Sequence, residues 1–576
     1  MSPSQFQVKA SFPGQQQRAS DARLSLGTHQ LTIHIPNGSH DNTTQVPYSC
    51  IYGHEAPNDD NGDNTTTDKH QQHHKVVIHY VAFTEPDLKK PSAATRTTAQ
   101  LLFERTEEAN KFIQAARDIG AFPKTRQILL LVNPNGGVGK AKRISDIVVK
   151  PMFQHSGLVV KEQYTGYGKH AVEIANKLDL DKVDSLVVVS GDGVLHEVIN
   201  GLLSRHDWDR ARKTSIGIIP AGSGNAIGAS IGSISPIVAT LAVIRGETSK
   251  LDIFSLSQLN RPRIYSMLSF SWGMMADSDI ESDKYRWLGP LRFEVAGLIR
   301  MVRLRRYPGK IYVLPPKYQD NPSTSELTPP QSPNGREPES RFKHLLNSDA
   351  QEPAKPWRLL PNMPFYSMCL LLNCPNVGET IYFTDTIRHN DGIMRFWYSC
   401  ETRVRKILLP FVLDQMNGKL VERGLMQDVE CGGILVVPGI EGIPDDPSTH
   451  SVVEPDLVSS PAAKQLGIYQ RPGLFDVDGE VMPTAKTLIE IHPSLMNLIV
   501  PEWFFHKDDD NTKAREHAAA VIQASKNQTR SASSFGAKPF GLLVVSAVAA
   551  VAVVAALYLS ANGDSPLDHI RSVLSV

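Results

Sequence analysis

Short apolar runs alternate with amphipathic helical segments between residues 127 and 250 of this chain. The runs QILLLV, SLVVVS and SIGIIP, which begin at Gln127, Ser185 and Ser215, have the continuous apolar character of buried strands. The segment after the second run carries an apolar stripe at helical spacing, formed by Leu195, Val198, Ile199, Leu202 and Leu203. The alternation predicts a doubly wound parallel sheet with helices on its faces, and such sheets bind ligands at the carboxyl ends of their strands.

The pattern changes after residue 250. Runs such as IYSMLSFSW, FYSMCLLLN and GGILVVPG are short and β-rich, and they predict a second, mostly antiparallel domain over 251–505. Two polar stretches, near 315–356 and 441–470, are predicted to be inserts without regular structure in this domain. The parallel α/β domain is expected to occupy 126–250.

The N-terminal region has a more polar composition than the rest of the chain. Residues 1–75 are rich in Ser, Asn, Asp, Gln and His and contain few large apolar residues, so we expect a disordered polar tract there. Residues 76–125 are predicted to form a small N-terminal module, with a strand over 76–86 and a helix over 97–117. The sequence does not indicate what this module binds.

An uncharged apolar segment lies near the other end of the chain. As a helix, the stretch from Phe540 to Ser560 would be about 31 Å long, enough for a hydrocarbon core of about 30 Å. It predicts a transmembrane tail anchor over 539–561, after a linker over 506–538. A buried helix rich in Ala and Val is the alternative. The expected localisation is a cytosolic catalytic body anchored to an intracellular membrane.

Charge and cysteine content narrow the function classes. The 60 Lys and Arg residues balance 60 Asp and Glu residues, so nothing global suggests a nucleic-acid partner, which usually needs a basic stripe. The five cysteines are sparse and odd in number, and they indicate free thiols in a reducing compartment. Cys369 and Cys374 lie close together, but no second pair completes a zinc site.

Three predicted strand ends are each followed by a glycine-rich loop. The first loop, NPNGGVGK, starts at Asn133 and contains Gly136 and Gly137, which let backbone N–H groups approach a phosphate. It is not a Walker A loop, because Pro134 stands where that motif needs glycine. It is not G-x-G-x-x-G either, because Lys142 takes the place of the third glycine. Alone, this loop could be an ordinary tight turn.

The second loop, SGDG, places Asp192 between two glycines, and Glu197 follows it on the predicted helix. Asp192 could accept a hydroxyl proton or hold Mg²⁺, or it could be an ordinary turn aspartate. In the third loop, AGSGN, Ser223 and Asn225 could hydrogen-bond a phosphate or a ribose. Each loop is weak evidence by itself. Three of them at successive strand ends predict a nucleotide site.

The segments NPNGG, SGDGVLHEVINGL and PAGSGNA resemble the signature segments of the diacylglycerol kinase catalytic superfamily, and specifically its sphingosine kinase (sphingoid long-chain base kinase) branch. Diacylglycerol kinases and NAD kinases have GGDG where this chain has SGDG. The resemblance continues through 269–293 and ends in FDVDGE at 475–480. It implies that the domain over 126–250 binds the nucleotide and that the domain over 251–505 is a lipid-binding β-sandwich, with the site in the cleft between them.

The resemblance also implies a role for each matching position. Asp192 would be the catalytic carboxylate. Asp279 would pair with the ammonium or hydroxyl of a sphingoid head, and Ser269 would help to hold it. The implied cofactors are ATP and Mg²⁺, with the metal ligands left unassigned. Arg286 and Arg292 would reach the phosphates. The nucleotide-binding positions would be Asn133, Gly136, Gly137, Thr165, Ser190, Gly191, Gly193, Glu197, Ser223, Gly224, Arg286, Arg292, Asp478 and Gly479.

Two charged segments bear on the substrate. The acidic segment MADSDIESD would be solvated at Asp277 and Glu281, whereas Asp279 has a reason to face inward if the substrate is a cationic amine. Asp283 departs from the family, which often has Glu there. The segment over 291–307 carries Arg300 among several basic residues. It would form either a solvated basic face or a contact with anionic membrane lipid.

The sequence therefore predicts a sphingosine kinase that phosphorylates the primary hydroxyl of sphingoid bases with ATP, giving a sphingoid base 1-phosphate. The expected partners are a sphingoid base and membrane lipid, with no nucleic acid. A kinase of ceramide or diacylglycerol is the nearest alternative. A membrane-tethered lipid-binding scaffold without catalysis is the alternative from another class, and NAD kinase activity is a remote third.

Overall fold

The structure is a computed structural model. It describes residues 4–12, 20–35, 42–56, 74–83, 94–136, 139–222, 224–282, 284–285, 295–297, 299–300, 307–316, 340, 342–347, 353–360, 366–378, 387–400, 426–439, 473–502 and 504. The predicted insert near 441–470 and the predicted linker over 506–538 lie outside these residues, as does most of the insert near 315–356.

The N-terminal region forms a seven-stranded antiparallel sheet in the order β4-β3-β2-β1-β7-β6-β5. The helix α1 (Thr106–Asp118) packs on it through Phe112 and Ile113. The strands are β1 (Ser4–Ser11), β2 (Ser20–Leu26), β3 (Gln30–Ile35), β4 (Asn42–Pro47), β5 (Ile51–Glu55), β6 (His74–Phe83) and β7 (Ala94–Phe103).

This sheet corrects the expectation of a disordered tract for the described residues within 1–75. Strand β3 alternates buried and half-buried residues along QLTIHI, with Leu31, Ile33 and Ile35 facing the core. Alternation of this kind buries one face of a strand even where the average composition is polar. The helix predicted over 97–117 is also wrong in its first half. That stretch belongs to β7, whose β-branched threonines and alternately buried Leu101 and Phe103 favour a strand.

The α/β region contains four parallel strands in the order β11-β10-β8-β9. Their bounds are β8 (Gln127–Val132), β9 (Val159–Tyr164), β10 (Ser185–Ser190) and β11 (Ser215–Pro220). The helices are α2 (Lys140–Ile144) and α3 (Lys150–Ser156), joined by a π-helical turn, then α4 (His170–Asn176), α5 (Asp192–Leu203), α6 (Trp208–Ala211), α7 (Ala226–Ser230) and α8 (Pro236–Arg245).

Helices cover both faces of these strands. On one face α4 and α5 pack through Ala171 and Leu195. On the other face α3 and α8 pack through Met152 and Leu241, together with residues of β5 to β7 such as Tyr52. The N-terminal sheet therefore shares a core with the α/β region.

The β-rich region is built from two facing sheets. Strands β12 (Thr248–Gln258), β13 (Ile264–Ser266), β15 (Gly309–Leu314), β16 (Arg358–Leu359), β20 (Gly433–Pro438) and β23 (Thr487–Ile499) belong to the first sheet. The second, six-stranded sheet has the order β19-β18-β17-β14-β21-β22. It consists of β14 (Ser269–Gly273), β17 (Met368–Leu372), β18 (Met394–Ser399), β19 (Gln427–Cys431), β21 (Phe475–Val477) and β22 (Glu480–Met482). Helix α9 (Met274–Ser282) follows β14.

The parallel strands and the first sheet of the β region form one continuous ten-stranded sheet. The long strand β23 joins them. Its first part pairs antiparallel with β20, and its last residues, Asn497 and Leu498, pair parallel with β11. The boundary near residue 250 stays a prediction, because β12 and β23 run side by side through the junction.

The predicted transmembrane anchor over 539–561 requires correction. A helix that crosses a membrane needs about 20 apolar residues. Among the residues that the structure describes, no helix has the length and apolar character to do so. The segment 539–561 itself lies outside the described residues. The described residues therefore give no support to the predicted anchor or to the membrane localisation inferred from it.

Candidate active site

The carboxyl ends of β8, β10 and β11 bring the three glycine-rich loops to one edge of the sheet. Asn133 N donates a hydrogen bond to Val189 O at 3.3 Å, and its Nδ2 lies 3.4 Å from Ser190 Oγ. Ala221 N donates to Ser190 O at 3.0 Å. Thr165, directly after β9, is held at the same edge because its N–H donates to Val132 O at 3.0 Å. The predicted nucleotide contacts at these positions therefore share one place in the fold.

The second and third loops pass each other backbone against backbone. A Cβ atom at Gly191 would lie 2.6 Å from Gly224 O, and a Cβ at Gly222 would lie 2.6 Å from Gly191 N. Contacts this short exclude every side chain, so both positions require glycine. The first loop is also close, since a Cβ at Gly136 would lie 3.3 Å from Ser190 Oγ.

Asp192 begins α5 and ties the second loop to the third. Its Oδ2 accepts a hydrogen bond from Ala226 N at 2.6 Å, and its Oδ1 accepts one from Ile227 N at 3.1 Å. Its own N–H donates to Gly224 O at 3.1 Å. The carboxylate is buried and held in one orientation at the start of α7. A carboxylate has about four acceptor sites, so these two hydrogen bonds do not use its whole accepting capacity.

Glu197 acts on the loop that follows β9. Its two carboxylate oxygens accept hydrogen bonds from Lys169 N at 3.0 Å and from Ala171 N at 3.1 Å, at the start of α4. The structure therefore shows Glu197 as a residue that positions the loop after Thr165. Its predicted contact with the nucleotide stays a prediction.

Asp478 is turned into the protein at a left-handed backbone position. Its carboxylate lies 2.7 Å from His196 Nδ1 on α5 and accepts a bond from Ser266 Oγ at 2.6 Å. Three backbone N–H groups also donate to it, from Met267, Leu268 and Ser269. These contacts tie the hairpin between β21 and β22 to α5 and to the start of β14, and they occupy the Asp478 carboxylate fully.

Asp279 on α9 lies beside this hairpin. Its Oδ2 would be 3.9 Å from a Cβ at Gly479, and its carboxylate is a direct neighbour of Asp476 on β21. Asp476 is buried, and burial together with the charge of Asp279 raises the pKa of its carboxyl well above the ordinary value. Ser269, the first residue of β14, is buried next to the same hairpin. Ser269, Asp279 and Gly479 therefore lie around one hairpin. The head-group roles of Ser269 and Asp279 and the nucleotide contact of Gly479 stay predictions.

Similarity to known proteins agrees with this geometry. A family model described as the diacylglycerol kinase catalytic domain matches residues 127–256. Sphingosine kinase 1 of Arabidopsis thaliana is 32% identical over 363 residues, which are 60% of this chain and 70% of that protein. Sphingosine kinase 2 of Arabidopsis thaliana is 30% identical over 70% of this chain and 82% of its own length. This chain belongs to the sphingosine kinase family. Sphingosine kinase 1 of Homo sapiens, 29% identical over 65% of this chain and 91% of its own, is a further relative.

Membership of the sphingosine kinase family makes this chain an ATP-dependent lipid kinase, and the resemblance seen in the three loops is confirmed. The role of each site residue stays a prediction. Gly137, Ser223, Arg286 and Arg292 lie outside the described residues, as does Asp283.

The acidic segment differs from its predicted arrangement. Asp277 is fully buried and accepts a hydrogen bond from Tyr307 Oη at 2.7 Å. Glu281 forms an ion pair with Arg300, whose guanidinium is itself buried. Neither carboxylate is a solvated loop residue, and Arg300 does not lie on a solvated basic face. In this sphingosine kinase α9 is therefore fixed through its acidic residues, and Asp279 is held relative to the hairpin.

Sequence reasoning misses two residues of the site. His196 lies within the segment SGDGVLHEVINGL, but nothing near it in the chain marks it, because its partner Asp478 is 282 positions away. Asp476 is easily passed over as the first residue of DVDGE, although an acidic residue in a short apolar strand is an unusual choice. That choice is the one signal in the sequence that could have found it.

We expect the stability of this kinase to depend on His196 and on pH. Burial lowers the pKa of the His196 imidazole, but the hydrogen bond and the charge of Asp478 outweigh burial, so the pKa is raised above 6.5. A raised histidine pKa contributes stability that is complete below pH 6.5 and is lost as the pH rises through the pKa of the folded state. The free energy of unfolding should therefore fall with rising pH in this window. Denaturant unfolding at pH 6 and pH 8 measures the fall.

The His196→Gln variant supplies the control. Glutamine keeps a donor for Asp478 but does not titrate, so the difference in unfolding free energy between pH 6 and pH 8 should be smaller than in the wild type. An equal difference in both proteins would show that His196 is not the group responsible.

Proposed function

We propose that this chain transfers the terminal phosphate of ATP to the primary hydroxyl of a sphingoid base and releases a sphingoid base 1-phosphate. The observation that carries the proposal is the position of α5. This helix begins with Asp192 at the glycine-rich loops, and one turn later His196 contacts Asp478 in the hairpin beside Asp279. Helix α5 thus connects Asp192, which is suited to a hydroxyl, with the hairpin beside Asp279, which is suited to an amine.

Asp192 would orient the hydroxyl and take its proton as the phosphorus–oxygen bond forms. Its two hydrogen bonds from α7 fix the orientation of the carboxylate. The glycine-rich loops would let the phosphates approach the backbone closely, because glycine has no side chain. Gly191 and Gly222 place no side chain at this edge of the sheet, which suits the close approach of a nucleoside triphosphate. Mg²⁺ bound to the nucleotide phosphates would supply charge neutralisation.

Asp279 would select the amine. A sphingoid base carries an ammonium group next to its hydroxyl, whereas ceramide and diacylglycerol carry none. An ammonium bound at half-buried Asp279, beside buried Asp476, would offset part of the negative charge there. The base is itself a membrane lipid, so its apolar chain would pass from a lipid surface into the β region.

The proposal predicts a clear order of substrates. The full chain, with Mg²⁺ and ATP labelled in its terminal phosphate, is offered sphingosine, dihydrosphingosine, ceramide and diacylglycerol in detergent. We expect label on the two sphingoid bases. Replacing Asp279 with asparagine should lower kcat/KM for the bases by about 10²-fold. This factor corresponds to about 3 kcal/mol, the free energy of a lost hydrogen bond between charged groups.

The same assay contains the opposing outcomes. Label on ceramide or diacylglycerol alone would keep a lipid kinase and exclude the amine substrate together with the role of Asp279. Absence of label with every lipid would favour the alternative that the chain is a lipid-binding scaffold without catalysis. Asp428→Asn, which removes an exposed carboxylate from β19 of the second sheet, serves as the control for loss of one negative charge.

A further inference from the structure

Glu55, His79 and His155 form a cluster where the N-terminal sheet meets the α/β region. Glu55 ends β5, His79 lies on β6, and His155 lies near the end of α3. Glu55 Oε1 is 2.9 Å from His79 Nε2 and 3.2 Å from His155 Nδ1. One possible ligand atom of each residue lies within 4.8 Å of those of the other two. Three metal-binding groups therefore converge from three elements, and the proposed phosphate transfer uses none of them.

The packing around the cluster holds it in place. β5 and α3 approach so closely that a Cβ atom at Gly53 would overlap the carbonyl group of His155, so this position requires glycine. His79 is buried, and its ring lies 5.7 Å from that of Tyr52 and 3.9 Å from that of His155, between ring centroids. Glu55 is exposed and His155 is half-buried. An ion could therefore reach the cluster from solvent and bind against a fixed support.

The ligand types fit Zn²⁺. Imidazole nitrogens and carboxylate oxygens bind Zn²⁺ at about 2.0–2.2 Å in a tetrahedron, which places neighbouring ligand atoms about 3.3–3.6 Å apart. The separations of 2.9 and 3.2 Å from Glu55 Oε1 are slightly shorter, so a small shift of this exposed side chain would admit the ion. Mg²⁺ prefers six oxygen ligands, and two nitrogens therefore favour Zn²⁺ over it.

Binding also requires a movement of one ring. The imidazoles of His79 and His155 are stacked, with 16° between their planes, so their nitrogen lone pairs point in nearly parallel directions. A shared ion lies in the plane of each ring that binds it, and the half-buried ring of His155 must turn to meet this condition. His79, buried against Tyr52, would keep its position.

We propose that Glu55, His79 and His155 bind one Zn²⁺ ion, with water as the fourth ligand, and that the ion stabilises the packing of the N-terminal sheet against the α/β region. The site is separate from the candidate active site. His155 precedes the start of β9, at the amino ends of the parallel strands, whereas the glycine-rich loops follow the carboxyl ends. The role of the ion is therefore structural, and the inference does not depend on the proposed function.

The test measures metal binding without ATP or lipid. The metal-free full chain is titrated calorimetrically with Zn²⁺ in a buffer that contains excess Mg²⁺. We expect one site with a dissociation constant of about 1 μM or below. Glu55→Gln removes one ligand, and His155→Phe removes another while keeping a ring that can stack on His79. Each variant should bind Zn²⁺ about 10²-fold more weakly.

Controls separate this site from other metal-binding groups. His70 and His73 lie in the histidine-rich segment HQQHHK and could bind Zn²⁺ by themselves. The double variant His70→Gln with His73→Gln should keep the affinity of the wild type for Zn²⁺. Glu107→Gln, which removes an exposed carboxylate from α1, should do the same.

Thermal unfolding tests the structural role. A ligand that binds the folded chain raises its unfolding temperature. Zn²⁺ should therefore raise the unfolding temperature of the wild type and of both controls, but not that of Glu55→Gln or His155→Phe at the same concentration. Unfolding in the presence of a chelator shows whether these two variants fold as the wild type does without metal.

The opposing outcomes are distinct. Equal affinity for Zn²⁺ in the wild type, Glu55→Gln and His155→Phe would overturn the site. Loss of the tight binding in the variant that lacks His70 and His73 would overturn it as well, since it would move the ion to the histidine-rich segment. A wild type that binds Zn²⁺ without any rise in unfolding temperature would overturn the structural role.

Discussion

Replacing Asp192 with asparagine should lower kcat for sphingoid base phosphorylation by about 10²–10⁴-fold, the range for loss of a general base. Asparagine has nearly the same shape but cannot take the hydroxyl proton. Its amide nitrogen also cannot accept a hydrogen bond, so one of the two bonds from Ala226 N and Ile227 N is lost. We therefore expect a loss of stability of about 1–3 kcal/mol beside the loss of activity. Steady-state kinetics for both substrates and thermal unfolding measure the two effects separately.

Glu197→Gln is the matched control for this variant. Glu197 lies on the same helix and also accepts two backbone N–H bonds, from Lys169 and Ala171. Its amide variant therefore loses one comparable bond without loss of the proposed base. We expect similar destabilisation but a far smaller fall in kcat than in Asp192→Asn. Equal falls in kcat would mean that Asp192 positions the loops and does not take the proton.

The second large effect is expected from Gly222→Ala. A methyl group there would lie 2.6 Å from Gly191 N, and the clash is with backbone, which cannot rotate away. The second and third loops must separate, and Asp192, which bonds across them, must shift with Gly191. Overpacking of this kind costs about 1–3 kcal/mol of stability. A displacement of about 1 Å at the reacting groups costs about 10²-fold in rate, so kcat/KM should fall by about that factor.

Gly168→Ala tests whether any added methyl group at this end of the sheet has the same effect. Gly168 lies in the loop after β9 and is exposed, and a Cβ atom added to it would have no other atom within 4 Å. Its alanine variant should remain within about 0.5 kcal/mol of the wild type in stability. If Gly222→Ala were equally harmless in stability and in kcat/KM, the close approach of the two loops would not be needed for catalysis.

The contact between α5 and the β21–β22 hairpin links the proposed nucleotide site to the proposed lipid site. Asp478 receives bonds from α5, from the turn before β14 and from Ser269 itself. A change at this carboxylate is therefore expected to affect nucleotide and lipid sites together. The pH dependence of the unfolding free energy, which we expect to depend on His196, measures the contribution of the same contact to stability.

The sequence by itself determined the local elements and the reaction type. The strand bounds predicted at Ser185 and Ser215 agree with β10 and β11, and the stripe from Leu195 to Leu203 is the buried face of α5. These features depend on neighbours in the chain, which the hydrophobic pattern records directly. The three glycine-rich loops identified the family for the same reason, since each is a contiguous segment.

Tertiary structure decided how the acidic residues are used. Asp478 turns inward to His196, Asp277 is buried beneath Tyr307, and Asp476 faces Asp279, although all four lie in similar acidic stretches. The N-terminal strands were hidden for a related reason, because a polar average conceals the alternation that buries Ile33. The partner of a carboxylate can lie hundreds of positions away, and charge, burial and hydrogen bonding at a site depend on that partner. Only the folded chain brings the partners together, and so only the structure separates a supporting carboxylate from one available to substrate.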